Sequence, residues 1–303
     1  MKFICAQPAI PYYAWQVEVM INNFIRNGVD PSDIHIVCAH YGPTSENFLK
    51  LKHKYKGVEF FFYTDTRKKS SYISSIRPHI LHKHWIANPY LENETVFYHD
   101  CDIAFTKLID FEGLLSDDTC YVSDTISYIG AEYIKSKGGN YLEIMAEIVN
   151  VPKEKIEAEQ MNSGGAQYLL KNIPTEFWSK VYYDCEAMYR VIVAKQNGNP
   201  SEPFQIWCSD MWAVLWNLWF YDKEVRVTRK LDFAWATSHT QEWITCPIYH
   251  NAGVVEGGKG MFYKAEYVNK LPYDITLERL TSYLCAYKYA EEILKTKEVT
   301  CLK

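Results

Sequence analysis

The 303-residue sequence contains no run of about 18 consecutive apolar residues, so no segment reads as a membrane span. The strongest apolar stretch, Met211 to Phe220, is too short for one and is interrupted by Asn217. The N-terminus enters at once on a strand-like segment, Lys2-Phe3-Ile4-Cys5-Ala6, and lacks the long apolar core of a signal peptide. The nine cysteines are scattered, with no C-x-x-C and no Cys/His cluster at zinc spacing. That excludes a dithiol redox motif and a structural zinc site. It points to reduced thiols in a cytoplasmic protein (host cytoplasm if the chain is viral). There is no excess of positive charge: the net charge is −5, which counts against nucleic acid or an anionic membrane as general partner. No repeat, low-complexity tract or linker interrupts the chain. One domain over 1–303 is therefore expected, with a regular half, 1–105, and a less regular half, 106–303.

What is present in quantity is aromatic. Aromatic residues make up 16% of the chain, with 24 Tyr and 9 Trp, suited either to core packing or to stacking on sugars and bases. Basic residues cluster at Lys50 to Lys56, as expected for the solvated face of a helix, and at Arg67-Lys68-Lys69.

The first hundred residues alternate between strand and helix patterns. Strands are expected at Lys2–Ala6, Asp33–Ala39, Val58–Thr64 and Thr95–His99. Helices are expected at Tyr12–Asn27, capped by Gly28, at Thr44–Lys56 and at Ser74–Ala87. That order predicts an α/β fold with a mostly parallel, doubly wound sheet flanked by helices. Ligands of such sheets bind beyond the C-terminal strand ends. Further on, the pattern predicts a strand at Cys120–Asp124 and a basic glycine-rich loop from Lys135 to Gly139. Helices are expected at Tyr141–Asn150, Thr175–Ala194, Ser209–Phe220 and Thr276–Lys295. Loops are expected at Gly198–Pro203 and Gly253–Gly260, and Ile244 to Tyr249 reads as a strand.

The most informative motif closes the fourth strand: Thr95-Val96-Phe97-Tyr98-His99-Asp100-Cys101-Asp102. Two carboxylates at the end of a buried strand are costly unless something pairs with them, and a divalent cation that prefers oxygen ligands is a natural partner. Alone, D-x-D is weak, because any acidic turn can match it. Three later segments add to it. In Asn162-Ser163-Gly164-Gly165-Ala166-Gln167, the glycines allow close backbone approach and the two amides suit sugar hydroxyls; a tight turn into a strand is the competing reading. In Cys208-Ser209-Asp210, the acid sits in a first helical turn, either as a dipole-favoured cap or as an active-site acid. In Tyr249-His250-Asn251-Ala252-Gly253, the imidazole can ligate a metal or serve as an ordinary hydrogen-bonding group. Lys259, in the glycine loop that follows, suits a phosphate.

Taken in order, these segments resemble the GT-A glycosyltransferases, most nearly the glycogenin and bacterial galactosyltransferase-like retaining group. The phrase around Asn162 also looks like plant, algal and viral glycosyltransferases. The resemblance spans residues 2–265, although only the motifs match well. It implies that 1–105 is a nucleotide-sugar-binding half and that 106–303 faces the acceptor. It further implies Mn²⁺ or Mg²⁺ held by Asp100, Asp102 and His250. Donor contacts would come from Ala6, Gln7, Pro8, Arg77, Asp100, Asn162, Gly164 and Lys259, and catalytic roles would fall to Asp210 and Gln167. The family's loop reads H-x-x-G-x-x-K-P-W. Here His250 and Lys259 are further apart and no Pro-Trp follows, which leaves Lys264 as the substitute lysine. The implied partners are a nucleoside-diphosphate sugar, with UDP as its expected nucleotide, and a glycan or glycoprotein hydroxyl.

Two other classes compete. A sugar-1-phosphate nucleotidyltransferase normally has a glycine-rich basic loop after the first strand, where this chain reads Gln7-Pro8-Ala9-Ile10-Pro11-Tyr12. A non-catalytic nucleotide-sugar binding module could retain Asp100, Asp102 and His250 without turnover. A modified nucleic-acid base as acceptor is disfavoured by the overall acidity.

Overall fold

A computed structural model describes residues 1–196, 204–254 and 258–301. The loop expected at Gly198–Pro203 and the glycine at 257 lie outside the described residues. In chain order the elements begin with β1 (Lys2–Pro8), α1 (Pro11–Arg26), β2 (Ile34–His40), α2 (Glu46–Lys54), β3 (Glu59–Thr64), α3 (Ile76–Ala87) and β4 (Val96–His99). Next come β5 (Ile103–Phe105), β6 (Cys120–Asp124), α4 (Ile126–Ile129), α5 (Ala131–Ser136), α6 (Tyr141–Val149), α7 (Lys153–Ala158) and β7 (Gly164–Leu170). The last are α8 (Thr175–Gln196), α9 (Ser209–Phe220), β8 (Val225–Val227), β9 (Phe233–Trp235), α10 (Thr240–Thr245), β10 (Ile248–His250) and α11 (Cys285–Cys301).

The expected α/β alternation of the first hundred residues is present, with ends shifted by one or two residues. Three later expectations differ. Ile244 lies in α10 rather than in a strand, because His239 caps that helix by accepting from the Gln241 amide at 3.2 Å. The strand is only Ile248–His250. Lys135 belongs to α5, and the turn is confined to Gly138 and Gly139, both at positive φ. The terminal helix begins at Cys285 rather than Thr276. The backbone before it is already engaged elsewhere: Thr281 donates to the Gly260 carbonyl at 2.7 Å, and Thr240 donates to the Tyr283 carbonyl at 2.8 Å.

The chain forms two compact units, each assembled from separated segments. The first comprises Lys2–Phe62, His99–Phe111 and Arg229–Lys303; the second comprises Met1, Tyr63–Tyr98 and Glu112–Thr228. In the first unit the strand order is β3-β2-β1. β1 and β2 run parallel, from Phe3 opposite Ile34 to Pro8 opposite Ala39. A smaller sheet in the same unit, β5-β10-β9, sets His250 opposite Ile103 and Trp235. Its apolar face packs against α1 and α11 through Trp15, Val19, Tyr249, Phe262, Tyr289 and Ile293. Phe24 stacks on Phe105 with ring centroids 4.1 Å apart. Each such ring, fully buried, contributes about 1.5–3 kcal/mol.

The second unit has the strand order β4-β7-β6-β8, with β6 parallel to β8 and antiparallel to β7. Between Val122 and Ser123 the β6–β7 register slips, so Ala166 and Gln167 bulge out of the ladder, with Ala166 at φ +68°. α8 packs between α3 and α9 over buried Trp85, Trp178, Trp212 and Trp216. None of the eight cysteines from Cys5 to Cys285 is in a disulfide.

Candidate functional site

The first unit gathers Asp100, Asp102 and His250. His99, the last residue of β4, leads into Asp100, and β5 starts directly after Asp102. β5 is fixed from the side by Asn23. The Asn23 amide donates to the Phe105 carbonyl at 3.0 Å, and its oxygen accepts from the Phe105 amide at 2.7 Å. His250 is the last residue of β10, so pairing with β5 carries its ring to the D-x-D turn, and Asn251 donates to the Asp102 carbonyl at 2.9 Å. The His250 Nε2 lies 3.6 Å from Asp100 Oδ2 and 3.5 Å from Asp102 Oδ1. One ligand atom from each residue falls within 4.8 Å of the other two. The Trp235 ring lies parallel to the imidazole at 6.0 Å and holds its orientation.

The charge balance of this cluster has a built-in counter-ion. Burial opposes ionisation of Asp102, yet Lys264 and His250 more than reverse that, holding its carboxyl far below the usual range. The Lys264 ammonium is ion-paired to Asp102. Burial lowers the Lys264 pKa, but Asp102 outweighs it and the net direction is up. Lys264 opens a short 3-10 turn, Lys264–Tyr267, anchored by the Trp15 indole, which donates to the Tyr267 carbonyl at 3.2 Å. Lys259 is exposed and makes no ion pair among the described residues, so Lys264 is the lysine that reaches the acids. The donor set fits a divalent cation: two anionic oxygen ligands and an imidazole converge from two strand ends.

Of the proposed base-binding residues in this unit, Ala6 and Gln7 are buried at the end of β1, and Pro8 closes the strand opposite Ala39. The Gln7 amide donates to the Val37 carbonyl at 3.2 Å, while its side-chain oxygen has no partner among the described residues.

The second unit gathers a different set. Asp210 lies in the first turn of α9, but its side chain does not cap the helix. One of its oxygens takes an ion pair from Arg77 at 3.0 Å, and the other accepts from the Tyr72 hydroxyl at 2.6 Å. Tyr72 is itself buried, and burial with the adjacent Asp210 charge pushes its hydroxyl pKa well up, so it stays a donor. The loop carrying Tyr72 is tied down by Glu186 of α8, which accepts from the hydroxyls of Ser70 at 2.5 Å and Ser75 at 2.6 Å. Glu186 also accepts from the amides of Ser71 at 2.9 Å and Tyr72 at 3.2 Å.

Gln167, buried on the β7 bulge, accepts from the Ser123 hydroxyl at 2.7 Å. Asn162 donates to Glu159 at 2.8 Å, just before β7 begins at Gly164. The glycine pair has a packing reason: a Cβ on Gly164 would lie 2.3 Å from the Val122 side chain and 2.4 Å from the Ser123 carbonyl. Sequence reasoning missed Tyr72, Glu186 and Asn23. The only trace of the first was the basic run at Arg67, three residues before the serine pair that binds Glu186.

No model of a known protein family matches this chain, and no curated protein sequence is significantly similar to it. The solved structures that it resembles include three glycosyltransferases. The bifunctional glycosyltransferase WbbM, in its apo structure, matches 98% of this chain at 12% identity and a TM-score of 0.46, and this chain spans only 51% of WbbM. The apo form of mouse xyloside xylosyltransferase 1 matches 83% of this chain at 9% identity and a TM-score of 0.45, over 98% of its own length. The galactosyltransferase LgtC, in complex with donor and acceptor sugar analogs, matches 97% of this chain and 96% of its own at 12% identity, TM-score 0.45. Among the described residues, no helix is long and apolar enough to cross a membrane.

Proposed function

We propose that this chain is a divalent-metal-dependent glycosyltransferase. It moves a hexose or pentose from a nucleoside-diphosphate sugar, with UDP as the expected nucleotide, to a hydroxyl of a glycan or glycoprotein, with retention at the anomeric carbon. The observation that carries this reading is the convergence of Asp100, Asp102 and His250 from two strand ends, with their ligand atoms within 4.8 Å of one another. Asp100, Asp102 and His250 would hold the ion. The imidazole favours Mn²⁺ over Mg²⁺, which prefers an all-oxygen shell. When bound, the ion supplies Lewis-acid neutralisation of a departing diphosphate.

The protein's own groups do the rest. Lys264, in place of Lys259, offers a positive contact for phosphate oxygens. Ala6, Gln7 and Pro8 bind the base and ribose, and the side-chain oxygen of Gln7 is an acceptor for a base N–H. Asn162 and Gly164 contact the transferred sugar. Gln167 and Asp210 stabilise positive charge developing on it, and Arg77 keeps the Asp210 carboxylate oriented. In a retaining transfer no strong protein base is needed, which suits an Asp210 already held by Tyr72 and Arg77.

Incubation of the full chain with a panel of UDP-sugars and Mn²⁺ tests the reading. Slow release of UDP is expected without acceptor, abolished by EDTA and restored by added Mn²⁺. Turnover that persists in excess chelator would remove the metal from the chemistry. Tight donor binding with no turnover of any donor would mark a binding module instead.

A further inference from the structure

Lys68 plays no part in the transfer reading, and in the second unit its loop borders a cavity of about 410 Å³. That volume lies within the range of small-ligand sites and suits a single sugar ring. The walls come from the loop after β3, from His79 and His82 on α3, and from Tyr182 and Tyr183 on α8, and no acidic side chain lines them. The charge is one-sided. Arg67 is matched by Asp65, through a fork at 3.1 and 2.9 Å. Lys68 is exposed and makes no ion pair among the described residues. Lys83 brings a second ammonium to the rim, donating to the Thr66 hydroxyl at 2.8 Å and the Thr64 carbonyl at 2.6 Å.

The polar lining is of the kind that pairs with hydroxyl groups. Burial, aided by the nearby Lys83 charge, holds the His79 pKa down at about 4, and burial lowers that of His82 as well. Both rings are therefore neutral near pH 7; His79 Nε2 already accepts from the Thr66 amide at 3.4 Å, which leaves its Nδ1 as a donor, while His82 brings one donor and one acceptor. The Tyr182 ring tilts against His79 at 5.3 Å and against Tyr183 at 4.9 Å. Tyr183 is 66% exposed, an amphipathic ring left open to solvent at the wall of a concave site. A cavity that served only packing would be apolar and closed. This one combines aromatic faces, hydroxyl and imidazole partners, and an unmatched ammonium.

We propose that this cavity binds a sugar carrying one negative group, a uronate or a sugar phosphate, with its ring against Tyr183 and its anion on Lys68. The inference goes beyond the transferase reading and does not depend on it. Saturation-transfer NMR on the full chain tests it, with millimolar glucuronate, glucose 6-phosphate and glucose as probes. Both anionic sugars should show saturation of their ring protons, and glucose should be at least fivefold weaker. Excess UDP should leave the signals in place. The double variant Lys68→Ala/Tyr183→Ala should reduce them at least fivefold without changing the melting temperature, and the single variant Lys68→Glu should do the same if the double variant folds poorly. Signals absent from both anionic sugars, signals equal for glucose, or signals that survive both variants would overturn the proposal.

Discussion

The two units each centre on a buried aspartate, and they satisfy it in opposite ways. Asp102 is neutralised by an ammonium on a flexible stem, which can yield to another cation, and the His250 imidazole stands 3.5 Å away as a further candidate ligand. Asp210 is held by a tyrosine hydroxyl at 2.6 Å, on a loop that Glu186 ties down, and by a guanidinium at 3.0 Å. The first arrangement leaves room for a guest ion. The second fixes an orientation and leaves nothing to displace. Buried charge alone therefore does not mark a metal site; what distinguishes one is whether its counter-charges can be exchanged.

Substitutions at the two aspartates test this difference most severely. Asp102→Ala should lower turnover by at least about 100-fold and remove Mn²⁺ binding, as read by calorimetry. The melting point should drop only a few degrees, because the partly exposed Lys264 can turn to water. Retained Mn²⁺ affinity would mean that the ion binds elsewhere. Asp210→Asn keeps the hydrogen bond from Tyr72 but removes the charge. It should lower kcat by roughly tenfold or more with donor Kd unchanged. An unchanged kcat with a lowered melting point would make the cluster structural.

Asn23→Ala tests the strut behind the first centre. It removes both Asn23 hydrogen bonds to Phe105, whose carbonyl keeps one from the Asn27 side chain at 3.4 Å, and should cost about 1–3 kcal/mol in denaturant unfolding. The bulge of the second unit gives a smaller effect. Ala166 sits at φ +68°, so Ala166→Gly should relieve strain and leave stability equal or raised by up to about 1 kcal/mol. A clear loss would show that the methyl group packs.

The pH dependence separates the units as well. The folded pKa of Asp102 is depressed, so its contribution to stability is present above the ordinary carboxylate pKa and is lost as pH falls toward the folded value. Thermal melts at pH 7 and pH 3 should therefore show a larger drop for the native chain than for Asp102→Asn. Equal drops would show that the Lys264 pairing contributes nothing in solution.

Most of the first centre was legible in the sequence because each part announces itself locally. The D-x-D closes a strand of β-branched and aromatic residues, and His250 ends a second apolar run. What the sequence could not display was the pairing of β5 with β10, since three-residue strands carry almost no periodicity. The choice between Lys259 and Lys264 was equally hidden, because it depends on how the 264–267 turn docks on Trp15. The second centre was half legible. Asp210 and Arg77 stood out, while Tyr72 and Glu186 did not. An aromatic in a polar loop and a glutamate in the middle of a long helix look ordinary until the fold joins them.

The first unit's centre also has a temporal consequence. Its candidate ligands sit at positions 100, 102 and 250, and the face behind them packs against α11. During synthesis the D-x-D turn therefore emerges long before the strand that completes it, and folding must wait for contacts of very large sequence separation. A chain cut before α11 would carry the acidic turn and His250 without the helix behind them, so formation of the candidate metal site and the burial of Tyr249 and Tyr289 should arrive together, as one cooperative event.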